Sequence, residues 1–308
     1  MLKHRLMLGP VMMASIVLLS WLDAALEGGR LPEWLRPLFF GRAIAPPGVA
    51  IFVWAAVVSI WSSRELATIL KVNGIAASKR VTTTAAIAGL LVSCVVPTEA
   101  SAVQAVAAVG TGAVLVLLLA LVFHARHRSF EGAVAAAGGA LLAFVYLGLM
   151  FGFVLAIRRE HSVWLLLWII VVTKACDIGA FFTGRSIGKH KLILWLSPGK
   201  TWEGLAGGVV LACVVGVLGL VLLRRSGVPG CPPAWTGLFA GVLFALTGQL
   251  GDLIASLFKR DAGLKDSSKV LPGFGGVLDV MDSPLLVAPV AYWWMTLVVG
   301  VGGATVVR

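Results

Sequence analysis

The sequence is poor in charge. Asp, Glu, Lys and Arg make up 13% of its 308 residues, against 59% hydrophobic residues, where a water-soluble domain carries roughly 25% charged residues. So few ionic groups cannot cover a water-facing surface of this size. A soluble globule is therefore excluded, and lipid becomes the solvent for most of the surface. Acids are the scarcer sign, 14 against 25 Lys and Arg. Cysteine is scarce too. Cys94, Cys176, Cys213 and Cys231 form no Cys-x-x-Cys pair and three of them lie inside apolar runs. That excludes a disulfide framework or a zinc site and leaves them as small core residues. Short alternating apolar–polar segments are missing as well, and with them a membrane β-barrel.

What is present is a series of long apolar runs rich in Val, Ala, Leu and Gly. Candidate spans lie near residues 6–22, 48–63, 81–96, 102–123, 132–157, 163–182, 205–223, 235–258 and 284–307. The expected fold class is all-α, a polytopic transmembrane bundle of about nine spans. The second and third runs are the shortest, and Arg64 to Arg80 between them reads as an amphipathic surface helix. Lys3, His4 and Arg5 precede the first run with no small-x-small cleavage site after it, which reads as an uncleaved first helix. Leu31 to Pro47 and Cys231-Pro232-Pro233 read as loop and turn.

The basic residues sit in short loops. With the N-terminus inside, the cytoplasmic side carries 16 Lys and Arg and the opposite side 8. The positive-inside bias then places the N-terminus and the loops 183–204 and 259–283 in the cytoplasm, at the cell (inner) membrane. This distribution suits anionic lipid headgroups and argues against nucleic acid as a partner. Small residues recur every fourth position at Gly204, Gly208, Ala212 and Gly216, and again at Gly237, Gly241 and Ala245. Such stripes let helix backbones approach closely. The organisation expected is a membrane-embedded half, 1–160, and a catalytic half, 161–308.

Charges inside spans are costly and point to function. Lys174 and Asp177 share a helix face in the sixth span, where the plain alternative is a self-neutralising pair. Asp252 lies in the eighth span, with Gln249 before it, and Asp252, Ser256 and Lys259 fall on one helix face. No basic residue precedes Asp252 within a turn, so a metal or a cationic group is its natural partner.

The loop that follows holds four basic and four acidic residues between Lys259 and Asp282. Asp279 and Asp282 are three apart, so a helical backbone would put both carboxylates on one face. With Asp252 they could supply the all-oxygen ligand set that Mg²⁺ prefers. Basic residues would hold phosphates, and Gly273, Gly275 and Gly276 would let backbone N–H groups approach them. Paired carboxylates, cations and glycines are the equipment of phosphoryl transfer. The earlier loop carries Gly199-Lys200-Thr201, which ends like a P-loop. Leu194 stands where the P-loop needs Gly and no strand is expected before it, so a P-loop is rejected. His190, between Lys189 and Lys191, reads as a solvated loop residue.

These residues resemble a known family. Ser256-Leu257-Phe258-Lys259-Arg260, Lys265-Asp266, Pro272-Gly273-x-Gly275-Gly276 and Asp279-x-x-Asp282 look like the signature of the phosphatidate cytidylyltransferases, or CDP-diacylglycerol synthases. Asp177-x-Gly179-Ala180-Phe181, Gly184-Arg185, Gly188-Lys189-His190-Lys191, the run Ser197 to Gly204, and Gly251-Asp252-Leu253 resemble further pieces in the same order. The similarity covers about residues 163–290. The family usually has His where this chain has Phe274, Arg where it has Val280 and Glu where it has Ala255.

The resemblance implies that CTP and phosphatidate react to CDP-diacylglycerol and diphosphate, in phospholipid biosynthesis within the membrane. It implies Mg²⁺, alone or with a second cation, on Asp252, Asp279 and Asp282. It implies catalytic roles for Lys200, Lys259, Arg260, Lys265 and Asp266. Substrate contacts would come from Asp177, Ser197, Thr201, Ser256 and the three glycines. A homodimer is left open. The other readings are CTP-dependent transfer to a different lipid phosphate, an ion-coupled transporter using Lys174, Asp177 and Asp252, and a silent lipid-binding relative.

Overall fold

The computed structural model describes residues 2–34, 36, 41–95, 101–126, 128 and 130–303. The connection expected at 97–101 lies almost wholly outside these residues, as does the end of the last span beyond 303. Ten α-helical segments run in the order α1 Leu2–Leu26, α2 Val49–Val72, α3 Lys79–Val95, α4 Ala102–Ala125, α5 Ala133–Ala143, α6 Met150–Glu160, α7 Val163–Ile187, α8 Trp202–Arg225, α9 Thr236–Asp261 and α10 Val277–Gly303. A π-helical turn, Phe144–Leu149, joins α5 and α6 into one rod. Among the described residues there are thus nine helical rods, and eight are long and apolar enough to cross a membrane. The exception is α3, whose 17 residues span only about 25 Å at 1.5 Å per residue. The bundle is all-α and polytopic, as its composition dictates.

Two local expectations are corrected. No separate surface helix spans 64–80: α2 continues through Val72. The reason is burial, since Glu65, Leu66, Ala67, Ile69 and Leu70 pack into the protein. A strand, unexpectedly, precedes Gly199-Lys200-Thr201. Lys191–Ile193 (β1) pairs antiparallel with Ser197–Thr201 (β2), Lys191 opposite Thr201. The Gly-Lys-Thr segment is itself strand, where a P-loop places it in the loop between strand and helix.

The helix ends follow the sequence. Ser101 and Gln104 form a reciprocal cap on α4, with Gln104 N donating to Ser101 Oγ at 3.2 Å and Ser101 N to Gln104 Oε1 at 3.0 Å; two orphan donors are satisfied together. Thr201 closes β2 and caps α8, its Oγ1 accepting from Gly204 N at 3.1 Å. Pro284 and Pro289 lie inside α10, where each removes one helical hydrogen bond.

The small-residue stripes lie where helices meet. Gly216 of α8 and Gly237 of α9 face each other so closely that a Cβ on Gly237 would stand 2.5 Å from the Gly216 carbonyl oxygen. Only glycine allows that approach, and it brings α8 and α9 into van der Waals contact along their length. α7 packs on α8, α8 on α9, and α9 on α10.

At one end of the bundle, where α1 and α6 finish and α2 begins, a buried ion cluster ties three helices together. Asp23 Oδ1 accepts from Ala50 N and Ile51 N at 3.0 and 3.2 Å. Arg158 donates from Nε to Asp23 Oδ2, from Nη2 to Glu27 Oε2 at 2.7 Å, and from Nη1 to the His161 carbonyl at 3.2 Å. The opposite end carries the hairpin and the α9–α10 loop.

Candidate active site

α7 and α9 run in the same direction, because α8 returns the chain between them. Their C-terminal ends therefore lie beside the N-terminal ends of α8 and α10. A cavity of about 290 Å³ opens there, walled by α7, β2, α8, α9 and α10. It gathers Asp177, Lys200, Thr201, Asp252, Asp279 and Asp282, six residues singled out from sequence and separated by up to 105 positions.

Asp252 and Asp282 are brought together by a glycine. A Cβ on Gly251 would stand 2.5 Å from the Asp282 carbonyl oxygen, so α9 and α10 touch at this level only because residue 251 has none. Both carboxyls line the cavity. Asp282 is buried at 3% exposure, and Ser283 donates to its Oδ1 from N and Oγ at 2.6 and 3.2 Å. Two carboxylates on one cavity wall, one of them buried, repel unless a cation or a proton comes between them. Lys200 supplies one cation. β2 carries it across the cavity until Nζ stands 2.5 Å from Asp252 Oδ2. The two form an ion pair at the cavity wall.

Asp279 lines the same cavity but is otherwise employed. Its Oδ1 accepts from Lys259 Nζ at 2.6 Å, and its Oδ2 accepts from Ser267 N and Gly276 N, both at 2.8 Å. Lys259 itself is buried. Among the described residues, no three acidic, histidine or cysteine side chains converge as a ligand cluster. The pair that fits a hard divalent cation is Asp252 with Asp282, supported by the Ser283 hydroxyl. That donor set is all oxygen, and Mg²⁺ commonly takes one or two carboxylates and completes its shell with water and substrate phosphate.

A residue that the sequence reading passed over holds this arrangement in place. Glu65 of α2 is buried at 8% exposure. Its carboxylate accepts from Val277 N and Leu278 N, at 3.0 and 2.8 Å, and from Ser267 Oγ and Ser268 Oγ, at 2.9 and 2.7 Å. It thus caps the N-terminus of α10 and anchors the α9–α10 loop. A Cβ on Gly276 would collide with Ser267 Oγ and the Glu65 carboxylate, so that glycine makes room for the cap.

The sequence model of the cytidylyltransferase family matches residues 33–298. The chain belongs to this family. Curated relatives named phosphatidate cytidylyltransferase include those of Bacillus subtilis (strain 168), 37% identical over 187 residues and 60% of this chain, of Haemophilus influenzae (strain ATCC 51907 / DSM 11121 / KW20 / Rd), 40% identical over 129 residues and 42% of this chain, and of Mycobacterium bovis (strain ATCC BAA-935 / AF2122/97), 38% identical over 153 residues and 50% of this chain. The matched stretches span 66%, 44% and 47% of those relatives' lengths.

Not every motif residue of the cytidylyltransferase pattern reaches the cavity. Ser197, Ser256, Lys259, Arg260, Lys265, Asp266, Gly273, Gly275 and Gly276 do not line it, and Arg260, Lys265 and Asp266 are exposed. Gly273 and Gly275 have φ of 85° and 94°, a left-handed backbone that favours glycine and turns the loop back onto Asp279. The departures from the family pattern lie off the cavity as well. Val280 is buried in the apolar core, Phe274 packs against that core, and Ala255 is buried at 1% exposure. Two cavity residues that sequence reasoning left without a role are Gln249 and Ser283.

Proposed function

We propose that the protein transfers a cytidylyl group from CTP to phosphatidate, forming CDP-diacylglycerol and diphosphate, at a cytoplasm-facing site in the cell (inner) membrane. The observation that carries this reading is the Lys200 ammonium, buried beside the Asp252–Asp282 pair in a cavity at the end of a membrane bundle. Membership of the cytidylyltransferase family and the names of the relatives support it.

The first obstacle is repulsion between two polyanions. Lys200 opposes it with its ammonium, held in place by the Asp252 carboxylate, and Lys174 lines the same cavity. An oxygen of the lipid phosphate forms a bond to the α-phosphorus of CTP. The bond from that phosphorus to the bridging oxygen of the β-phosphate breaks, and diphosphate leaves with the electron pair. A phosphate dianion is already a nucleophile, so no side chain has to act as base. Phe274, where the family usually has His, is consistent with that chemistry. Asp252 and Asp282 would hold Mg²⁺, which when bound neutralises phosphate charge and aligns the attacking and leaving oxygens. Asp279 holds Lys259 and the α9–α10 loop, and so fixes the first turn of α10 on which Asp282 is mounted.

The test is purified protein with CTP, phosphatidate and Mg²⁺, scored for CDP-diacylglycerol. Mg²⁺-dependent product is expected. CTP consumption with another lipid phosphate but not with phosphatidate would overturn the acceptor, and no CTP consumption with any lipid would overturn the activity.

A further inference from the structure

The turn of the β1–β2 hairpin is Leu194-Trp195-Leu196. Turns that face water are built mostly from Gly, Pro, Asn, Asp and Ser, and this one has none of them. Leu194 and Trp195 are 66% and 75% exposed, while Leu196 is buried. The turn packs on the protein through one side chain and presents two large apolar ones outward.

The hairpin lies against the bundle. Its open end is fastened to the first turn of α8: Trp202 N donates to the His190 carbonyl at 3.0 Å, and His190 N to Glu203 Oε1 at 3.2 Å. Its middle closes on the cavity, which Leu192, Gly199 and Lys200 line. Lys200 is paired with Asp252, which lies well inside α9 and not at its end. A strand pinned there cannot stand upright from the helix ends. The distinction matters, because the headgroup layer is only about 5–8 Å deep on each side of the hydrocarbon. Five strand residues standing upright would reach about 17 Å and leave that layer, whereas a hairpin lying down stays within it.

The surroundings of the hairpin are those of a membrane border. It begins and ends at the limits of two spans, Ile187 of α7 and Trp202 of α8. Both residues are exposed, as is Phe182 in the last turns of α7. Tryptophan at the end of a span marks the level of the lipid headgroups. Charge points the same way. No acid occurs from Gly184 to Leu196, and Arg185, Lys189 and Lys191 are exposed. Large apolar side chains flanked by cations suit the boundary between acyl chains and anionic headgroups.

We propose that the β1–β2 turn is a membrane-interface anchor. Leu194 and Trp195 sit at the boundary of acyl chains and headgroups, and Arg185, Lys189 and Lys191 lie among anionic headgroups. The proposal needs only the membrane-spanning fold and stands whichever lipid phosphate accepts the cytidylyl group. Lys200 is carried on the same hairpin, so the anchor ties one wall of the cavity to the bilayer surface.

The experiment places a polarity-sensitive fluorophore on Trp195→Cys in phosphatidylglycerol nanodiscs. The four native cysteines are buried or half-buried, so the tip thiol reacts first, and wild type labelled in parallel gives the background. Lipids with a nitroxide high on the acyl chain quench from the membrane side, and acrylamide quenches from the water. The expected result is blue-shifted emission, strong nitroxide quenching, and acrylamide quenching well below that of the same fluorophore on free cysteine. Full acrylamide quenching without nitroxide quenching puts the tip in water and overturns the proposal. Protection from acrylamide without nitroxide quenching means that protein, such as a second copy of the chain, covers the tip, and overturns it too. Leu194→Cys gives the same readings where Trp195→Cys is not produced. A cation near an anionic surface favours the seated tip by about fivefold, so nitroxide quenching is expected to weaken in phosphatidylcholine nanodiscs. Equal quenching in both lipids overturns the part given to Arg185, Lys189 and Lys191.

Discussion

Glu65 Oε2 accepts the backbone N–H of Leu278 at 2.8 Å across 213 residues of sequence. One carboxylate in the second helix thereby sets the start of the last one, and with it the position of Asp279 and Asp282. Helix N-termini leave backbone N–H groups without partners and carry a partial positive charge, so a buried anion is well matched to that place. Glu65→Ala leaves at least two buried donors unsatisfied. The expected loss is about 2–4 kcal/mol of stability, together with turnover, because α10 no longer has a fixed first turn. Glu65→Gln keeps one acceptor oxygen and is expected to lose less. Thermal unfolding in detergent and turnover of the same samples check both.

Asp252 and Asp282 line the cavity, Asp252 paired with Lys200, whereas Asp279 is held by Lys259 and the loop. Their substitutions are therefore expected to differ in kind. Asp282→Asn removes a ligand of the proposed Mg²⁺ and is expected to lower turnover by about 100-fold or more, with melting unchanged or raised once a buried repulsion is gone. Asp279→Asn leaves the buried Lys259 cation without its counter-charge, so stability falls along with rate. Turnover titrated with Mg²⁺, beside a melting curve for each variant, separates the two. Intact Mg²⁺-dependent turnover in Asp282→Asn would sink the metal assignment.

Lys200→Met removes the cation that faces the carboxylate pair. A single phosphate-binding donor at a preorganised site contributes about 10²–10³ in rate, and a loss in that range is expected in kcat/KM for CTP. Lys200→Arg keeps the charge with a different donor geometry and is expected to recover only part of it. Unchanged CTP kinetics in Lys200→Met would exclude Lys200 from the nucleotide site.

Much of this was legible in the sequence for one reason: lipid makes charge conspicuous. Asp177 and Asp252 stand out because a span tolerates few such groups, Lys200 stands out through the family resemblance, and the structure gathers them with Asp279 and Asp282 around one cavity. The helical spacing of Asp279 and Asp282 was legible too, and α10 does begin before them, at Val277. Glu65 was not legible, because its partners lie some 200 residues away and its own neighbourhood reads as a polar helix end. Gln249 carries no charge, so it gave no signal beside Asp252. The hairpin was hidden by Ser197-Pro198-Gly199, which reads as a turn; β2 forms because β1 and the Thr201 cap hold it on both sides. Arg260, Lys265 and Asp266 are exposed and, like the buried Lys259, do not line the cavity, so membership of a motif did not by itself tell where each side chain lies.

The far end of the bundle gives a control for all of these. Arg158 and Asp23 are almost wholly buried and paired with each other, on the opposite side from the cavity. Removing one member of a buried pair strands the other charge, at about 3–5 kcal/mol. Arg158→Met is expected to lower the melting temperature strongly while the protein that remains folded keeps its specific activity and its KM values. The double variant Arg158→Met with Asp23→Asn is expected to be less destabilised than the sum of the two singles, because the one charge left without its partner, Glu27, is half-exposed. A change in KM for either substrate in Arg158→Met would mean that the two ends of the bundle are coupled, and that stability losses at Glu65 cannot be assigned to the α10 cap alone.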